Sequence, residues 1–370
     1  MTAPLTKLTI KGYKSIESLV DFELGDLTVL IGANGSGKSC FMDFFRLVRA
    51  MADESLQVFV IKRGGADQFL HMGPQHTPKM SARLVFDENA YEFDLSAAAN
   101  GHMLIEQEAT QFRDDAPQVL GHGQLESVLR SLNKKGSAQS PDCPSVAHHV
   151  YAAMSNWMVY HFHDTSLLAM MRREQSVRDF HGGLRDDASN LAPFLLELRE
   201  THKGSYDLIR DTVGLIVPFF DDFHLEPITR GPAELVRLEW RQSGSDYRFQ
   251  PYHLSDGTIR FICLATALLQ PTLPATIVID EPELGLHPVA IGLLAGLIRS
   301  ASARTQVIIS TQSPTLLNKF EPKDVIVVNR QAGRSTFSRL DTERLREWLE
   351  EYSVGELWQM NVLEGGPAID

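Results

Sequence analysis

The sequence is short of cysteine, with three in 370 residues, at Cys40, Cys143 and Cys263. They are scattered and odd in number. Neither a disulfide framework nor a zinc-ligand spacing is present, as expected of a chain kept in a reducing cytoplasm. Long apolar runs are also lacking. No stretch reaches the roughly 18 residues that a membrane-spanning helix needs. The opening "MTAPLTKLTIKGYKSIE" has no apolar stretch of a secretion signal, so a cytoplasmic protein with no membrane partner is expected. Positive charge is in deficit, with a net charge of -12. That excludes a broadly basic nucleic-acid coat and leaves room only for a local basic stripe. Internal repeats and low-complexity tracts are missing too. What remains is 43% hydrophobic and 22% charged, the make-up of a globular chain with a sizeable core. The length holds one large domain or two intertwined ones.

The hydrophobic pattern changes twice along the chain. "LTKLTIKGYKSIESLVDFEL" alternates apolar and polar residues, and "DLTVLIG" is apolar nearly throughout. This reads as two or three antiparallel strands feeding a buried central strand that ends at Ile31. "SARLVFDENAYEFDLS" alternates around a turn at "DEN" and reads as a hairpin. From residue 125 to 232 the spacing becomes helical in "ESVLRSLNKK", "SNLAPFLLELRETH" and "SYDLIRDTVGLIVPFF", broken by the loop "KGSAQSPDCPS". "AELVRLEWRQSGSDYRFQPYHLS" reads as a further strand hairpin, "TIVIDEPE" and "TQVIIST" as buried strands, "VIVVNRQAGRSTFSRL" as a hairpin and "ERLREWLEEYS" as a terminal helix. The expected class is α/β, with a discontinuous nucleotide-binding fold. Residues 1–124 and 233–370 would make its two parts. Residues 125–232 would emerge between them as a helical insertion that serves as a lid or contacts a partner.

Gly32-Ala33-Asn34-Gly35-Ser36-Gly37-Lys38-Ser39 fits the phosphate-loop pattern G-x-x-x-x-G-K-[ST]. It follows a strand and opens a helix, the context the motif requires. Glycines let backbone N–H groups converge on phosphates, and the helix N-terminus adds its positive dipole. On this reading residues Gly32 to Cys40 cradle the phosphates of ATP, Lys38 reaches the β- and γ-phosphates, and Ser39 ligates Mg²⁺.

"TIVIDEPELGLHP" ends an apolar strand in two acids, Asp280 and Glu281. Ligands of such sheets gather at the carboxyl ends of strands. Asp280 is placed to hold the magnesium shell and Glu281 to polarise water for attack on the γ-phosphate.

"HLSDGTIRF" stands just before that strand. It resembles the LSGGQ signature of the ABC-type ATPases. Ser255 and Gly257 take the serine and second-glycine positions, Asp256 stands at the first glycine, and Thr258 replaces the glutamine. The resemblance implies a head-to-tail homodimer, in which Ser255, Asp256 and Gly257 touch the γ-phosphate held by the partner's phosphate loop. Ser255 would also open a helix whose free N–H groups suit an anion. "TIKGYKSIESLVDFELGDLTVLIGANGSGKS" looks like the opening of the RecF and SMC branch of that family. "IDEPELGLHP" with "ISTQSPTLL" looks like its stand-alone bacterial members, which include the ATPase part of OLD-family nucleases. "YHFHDTS", "NLAPFLLEL" and "YSVGELWQMN" extend the likeness over nearly the whole chain. The implied fold is a P-loop NTPase with an ABC/RecF-like mixed sheet, N-terminal antiparallel strands and a helical insertion. The implied activity is slow ATP hydrolysis. The implied partners are DNA or a small TOPRIM-like effector, in DNA repair or anti-phage defence.

One departure stands out. The family usually places a histidine after the last core strand, and "STQSP" presents Gln312 there. An amide can donate to phosphate but cannot become cationic, so Gln312 is expected to sense the γ-phosphate with slow turnover. A glutamine is also expected before the helical insertion, where Gln75 is one candidate that the sequence does not fix. Other clusters carry less. His161 and His163 share a face at strand spacing, but Asp164 falls on the other, which favours a structural or partner contact over a metal site. Asp221 and Asp222 read as a solvated loop. Lys134, Lys135, Arg172 and Arg173 are candidate DNA-phosphate contacts, with a solvated charged face as the preferred reading. An OLD-type nuclease carries a long TOPRIM domain after the ATPase, and the sequence is expected to have no room for one. Two further functions compete with the ATP-driven switch. One is a weakly hydrolysing ATP-dependent scaffold that restrains a TOPRIM-like effector, and the other is a metal-dependent nuclease built on the His/Asp cluster.

Overall fold

The structure is a computed structural model that describes residues 3–136, 145–180 and 182–363. The chain opens with strands β1 (Lys7–Tyr13), β2 (Ile16–Glu23) and β3 (Leu27–Ile31), then helices α1 (Lys38–Ala52) and α2 (Leu56–Lys62). Strands β4 (Lys79–Phe86), β5 (Asn89–Ala97), β6 (Met103–Phe112) and β7 (Gln118–Gln124) follow, with α3 (Leu129–Gly136), α4 (Val146–Met154) and β8 (Trp157–Tyr160). The middle holds β9 (Gln175–Ser176), α5 (Leu191–Thr201), α6 (Lys203–Ile216), β10 (Phe220–His224), β11 (Ile228–Arg230), β12 (Ala233–Val236) and β13 (Glu239–Gln242). Then come α7 (Asp256–Leu269), β14 (Thr276–Asp280), α8 (Pro288–Ser302) and β15 (Gln306–Thr311). The last elements are α9 (Pro314–Leu317), β16 (Val325–Gln331), β17 (Arg334–Arg339), α10 (Arg346–Glu351) and α11 (Val354–Gln359).

Two compact units result, neither continuous in sequence. The larger comprises residues 1–159, 274–278 and 305–370, and the smaller 160–273 and 279–304. The larger unit is built on two six-stranded sheets. One runs β2-β1-β4-β5-β6-β7 and is antiparallel throughout. The other runs β17-β16-β3-β15-β14-β8, with β3 parallel to both β15 and β16. Helix α1 supplies the core that joins them. Phe44 stacks on Phe93 of β5, Phe41 meets Phe337 of β17, and Phe45 meets Trp157 of β8. A helix touching sheets on both sides needs a broad apolar face: Phe41, Met42, Phe44, Phe45, Leu47, Val48 and Met51 are all buried, and Ser39, Asp43, Arg46 and Arg49 make a polar stripe along the other side. Buried Gln306 pins the start of β15: its amide donates to the carbonyls of Leu5 and Gly25 and accepts from the Thr276 hydroxyl at the head of β14.

The expected hairpins at β4–β5 and β16–β17 form. The first turns at Asp87, whose left-handed backbone (φ 55°) a short aspartate tolerates. The one expected over residues 233–255 forms only in part, as an antiparallel bridge between Trp240 and Phe249, whose N–H groups each donate to the other's carbonyl. β12 and β13 part company: β12 pairs with β11 and β9, and β13 pairs with β10. The tight turn at Gly231 (φ 61°) and Pro232 instead closes a β11–β12 hairpin, which captures β12 from the other side. Residues 125–232 hold helices α3 to α6 together with strands β8 to β11. The 137–144 part of the loop "KGSAQSPDCPS" lies outside the described residues. Among the described residues no helix is long and apolar enough to cross a membrane.

Candidate functional site

The larger unit carries the phosphate loop between β3 and α1. Three features shape it. Gly32 (φ 157°) passes so close to the β16 backbone that a Cβ there would lie 2.1 Å from the Val328 carbonyl oxygen. Gly37 (φ 113°), directly before α1, would meet the Ser335 hydroxyl at 2.0 Å. Both positions therefore need glycine for room as well as for backbone freedom. Ser335 holds the loop from outside: its N–H donates to the Ser15 carbonyl and its hydroxyl to the Ser36 carbonyl.

Within the loop, Lys38 is 4% exposed, and its ammonium donates to the Gly32 and Ala33 carbonyls at 2.7 and 3.1 Å. Ser36 is also 4% exposed, and its hydroxyl has no hydrogen-bond partner. A buried hydroxyl left unsatisfied carries a penalty of about 1–3 kcal/mol, which an acceptor arriving in the loop would relieve. Asn34, Gly35 and Ser39 are exposed and Cys40 partly so. The loop thus presents an orphan donor, a lysine curled onto loop carbonyls, and the free N–H groups of a fifteen-residue helix. These groups fit a phosphate chain.

Gln312 belongs to the same unit. Thr311 pairs with Ile31 across the parallel β15–β3 ladder, so Gln312 and Gly32 leave neighbouring strands side by side. Gln75 is exposed in a turn of this unit.

The smaller unit carries the acids and the signature turn. Asp280 is the last residue of β14, and Glu281 follows with a left-handed backbone (φ 46°). A glutamate held there is strained by about 1–3 kcal/mol, and such outliers concentrate at functional sites. A pocket with room for about one water molecule is lined by Asp280, Glu281, His163 and Arg260. Arg260, on α7, is buried and organises that wall. Its guanidinium donates to the carbonyls of Phe162 at 2.9 Å and His163 at 3.2 Å, and to that of Leu284. One side chain thereby ties the signature helix to the segment before it and to the turn after the acids. Burial pulls the Arg260 pKa below its usual value.

Ser255 is the N-cap of α7: its hydroxyl accepts from the Thr258 N–H at 3.0 Å. Gly257 lies against the turn after the acids, where a Cβ would come within 2.3 Å of the Gly285 carbonyl oxygen. Close backbone approach alone thus requires glycine at 257. Asp256 is paired with Arg172 at 2.8 Å. Arg172 is therefore neither a free phosphate contact nor part of a solvated face. Its short-range bonds to the turn bury it, a correction to the sequence reading.

The remaining candidates are engaged locally. The rings of His161 and His163 pack edge to face at 4.5 Å, and Asp164 accepts from the Ser166 N–H. Asp222, read as a solvated loop, lies in β10 and accepts from the Tyr206 hydroxyl at 2.7 Å. Among the described residues no group of three or more histidine, cysteine or acidic side chains could hold a metal ion. Cys263 is buried in α7, and burial pushes its thiol pKa up, which makes it a core residue. The sequence reading passed over Arg260, took His163 as a structural or partner contact without placing it beside the acids, and gave Arg172 the wrong surroundings.

Residues 152–318 match the model of a family described as "AAA domain, putative AbiEii toxin, Type IV TA system". No curated protein matches the sequence. Among the solved structures that share the fold are two SMC heads. One is an SMC head bound to the C-terminal winged-helix domain of ScpA, with a TM-score of 0.55 and 16% identity. The match covers 93% of this chain and 99% of that one. The other is the SMC head domain with an extended coiled coil from Pyrococcus furiosus, bound to the C-terminal domain of ScpA. Its TM-score is 0.53 and its identity 15%, over 94% of this chain and 99% of that one. The fold is that of the ABC/SMC-like P-loop ATPases, an α/β P-loop NTPase fold of the SMC-head type.

Proposed function

We propose that the chain binds ATP with Mg²⁺ and hydrolyses it slowly, acting as an ATP-gated head-to-tail homodimer that couples nucleotide state to a partner. The observation that carries the first part is the phosphate loop. Ser36 is buried without a hydrogen-bond partner in a loop where Gly32 and Gly37 leave no room for a side chain, at the N-terminus of a buried helix. On this reading residues Gly32 to Cys40 hold the phosphates, and Lys38 turns from its loop carbonyls to the β- and γ-oxygens. Ser39 and Asp280 are the residues that would hold Mg²⁺, which screens phosphate charge when bound. Glu281 orients the attacking water, and its strained backbone supports that role. Gln312 senses the γ-phosphate from the strand beside the loop. Ser255, Asp256 and Gly257 complete the partner's site through the N-terminus of α7. DNA or a small TOPRIM-like effector is the partner, in repair or anti-phage defence, and the location is the cytoplasm.

A second reading, an ATP-binding scaffold with little turnover that restrains such an effector, is favoured by one observation. Gln312 cannot supply the cationic contact of the family's usual histidine. Phosphate release separates the two. The switch predicts release that is lost in Lys38→Ala and in Glu281→Gln, with ATP binding kept in the second variant. The scaffold predicts nucleotide binding with no release above that of Lys38→Ala. Neither binding nor release in the purified wild-type chain would refute both.

A further inference from the structure

We infer that Arg172 is a positioning residue for the signature turn, and that it offsets the charge Asp256 places there. This rests on the sandwich proposed above. The guanidinium is 4% exposed, and its bonds converge on the entry to α7. Nε donates to the Thr165 carbonyl at 2.9 Å. Nη1 donates to the carbonyls of Pro251 and Leu254, and Nη2 to the Asp256 carboxylate at 2.8 Å. Three of the four acceptors lie within residues 251–256, so one rigid planar group sets the path by which the chain reaches Ser255. The Asp256 side chain is 72% exposed, so the pair joins a buried cation to a carboxylate that faces solvent.

Charge makes the pair more than a clamp. The N-terminus of α7 carries about half a positive charge, the property by which it would receive a phosphate. Asp256 adds a full negative charge in the first turn, where the related signature has glycine. Without compensation the turn would repel the anion it is meant to contact. Arg172 supplies the compensation from 84 residues upstream. The dependence is mutual, because the guanidinium would otherwise be buried against neutral carbonyls. The Asp256–Arg172 pair thus does the work of the missing glycine. It keeps the turn in shape and close to neutral, so that the helix dipole still faces the phosphate.

The test uses the full chain carrying Glu281→Gln, the background in which ATP should hold the dimer, and reads ATP-dependent association by light scattering with ATP affinity measured separately. Adding Arg172→Met should weaken association at least tenfold while ATP affinity stays within about twofold. Adding Asp256→Gly to that variant should bring association back to within about threefold of the parent, although the lost hydrogen bonds are not restored. Asp256→Asn with Arg172 intact keeps an acceptor for Nη2 and removes the charge. It should tighten association, because the turn loses a negative charge while Arg172 keeps its positive one, and it stands as the test if Arg172→Met does not fold. A structural clamp alone would give no rescue by Asp256→Gly, and that result overturns the inference, as does association in Asp256→Asn that is no tighter than in the parent. If the Glu281→Gln parent shows no ATP-dependent association, the sandwich itself fails and this role falls with it. If the parent associates but rescue is absent, this role alone is overturned.

Discussion

The phosphate loop and the signature turn both lead into the N-terminus of a long helix, yet they are fixed by different means. The loop is shaped by backbone. Gly32 and Gly37 let the chain pass within van der Waals contact of β16 and Ser335, and the helix behind it is locked by a phenylalanine core. The turn is shaped by long side chains. Arg172 and Arg260 reach buried carbonyls in segments far apart in sequence and draw them around α7. Backbone shaping suits a site that must be rigid whether or not ligand is present. Buried guanidiniums make the second region a network, in which one change is felt at several places.

The comparison can be broken most sharply at Lys38. Lys38→Ala should lower ATP affinity by about a hundredfold or more, the size expected when a charge-assisted contact to phosphate is removed. The fold should stay intact, since the loop's shape comes from its glycines and Ser335. Calorimetry with ATP beside a melting curve checks both, and unchanged affinity would remove the loop from the site.

Arg260→Met should act on shape first. It strands three carbonyls, each served by a different nitrogen of one guanidinium, and at about 1 kcal/mol each the loss is about 3 kcal/mol. Hydrogen exchange should rise together at residues 161–164 and 283–286. Exchange confined to one of the two segments would show that Arg260 is not the link between them.

The glycines give a smaller, matched pair. Gly32→Ala and Gly257→Ala each drive a Cβ to within 2.1 or 2.3 Å of a backbone oxygen. Each should lower stability by about 1–3 kcal/mol. Gly32 also lies in the φ region that disfavours side chains and Gly257 does not. The loop variant should therefore be the worse of the two by melting temperature, and the reverse order would mean that the turn is the less yielding region.

The smallest effect is expected at Gln312. Gln312→His should change turnover by a few-fold and leave ADP affinity nearly constant, because only the γ-phosphate distinguishes the two nucleotides at that position. Equal effects on ATP and ADP would place Gln312 away from the γ-phosphate.

The same contrast explains what could be read from sequence. The phosphate loop is eight consecutive residues between a strand and a helix, so spacing alone exposes it. The β4–β5 and β16–β17 hairpins are legible because alternation meets a turn residue at Asp87 and at Gly333 (φ 82°). β12 and β13 alternate just as well, but their partners lie in other segments, and pairing follows partners rather than pattern. β7 went unread because "QVLGHGQ" carries two glycines and no residue of it is buried, and β6 because "MLIEQEATQF" buries Glu108 among its apolar positions, which breaks the alternation. The arginine network left no local signal. Arginine is seldom fully buried, and the 84 residues between Arg172 and Asp256 hide the pair until the chain folds. Glu281 is legible in the sequence as an acid at a strand end, but its strained backbone is not.

The central claim is that ATP joins two copies of this chain through the loop of one and the turn of the other. Glu281→Gln should keep nucleotide and magnesium binding while losing the water-orienting carboxylate, so that ATP accumulates between the copies. Light scattering should then show a dimer, or a tighter form of an existing one, with ATP but not with ADP or without nucleotide. Adding Ser255→Arg should remove that response while each chain still binds ATP through its own Lys38. The same mass and shape for Glu281→Gln in all three nucleotide states would contradict the account and leave Ser255 as a helix cap alone.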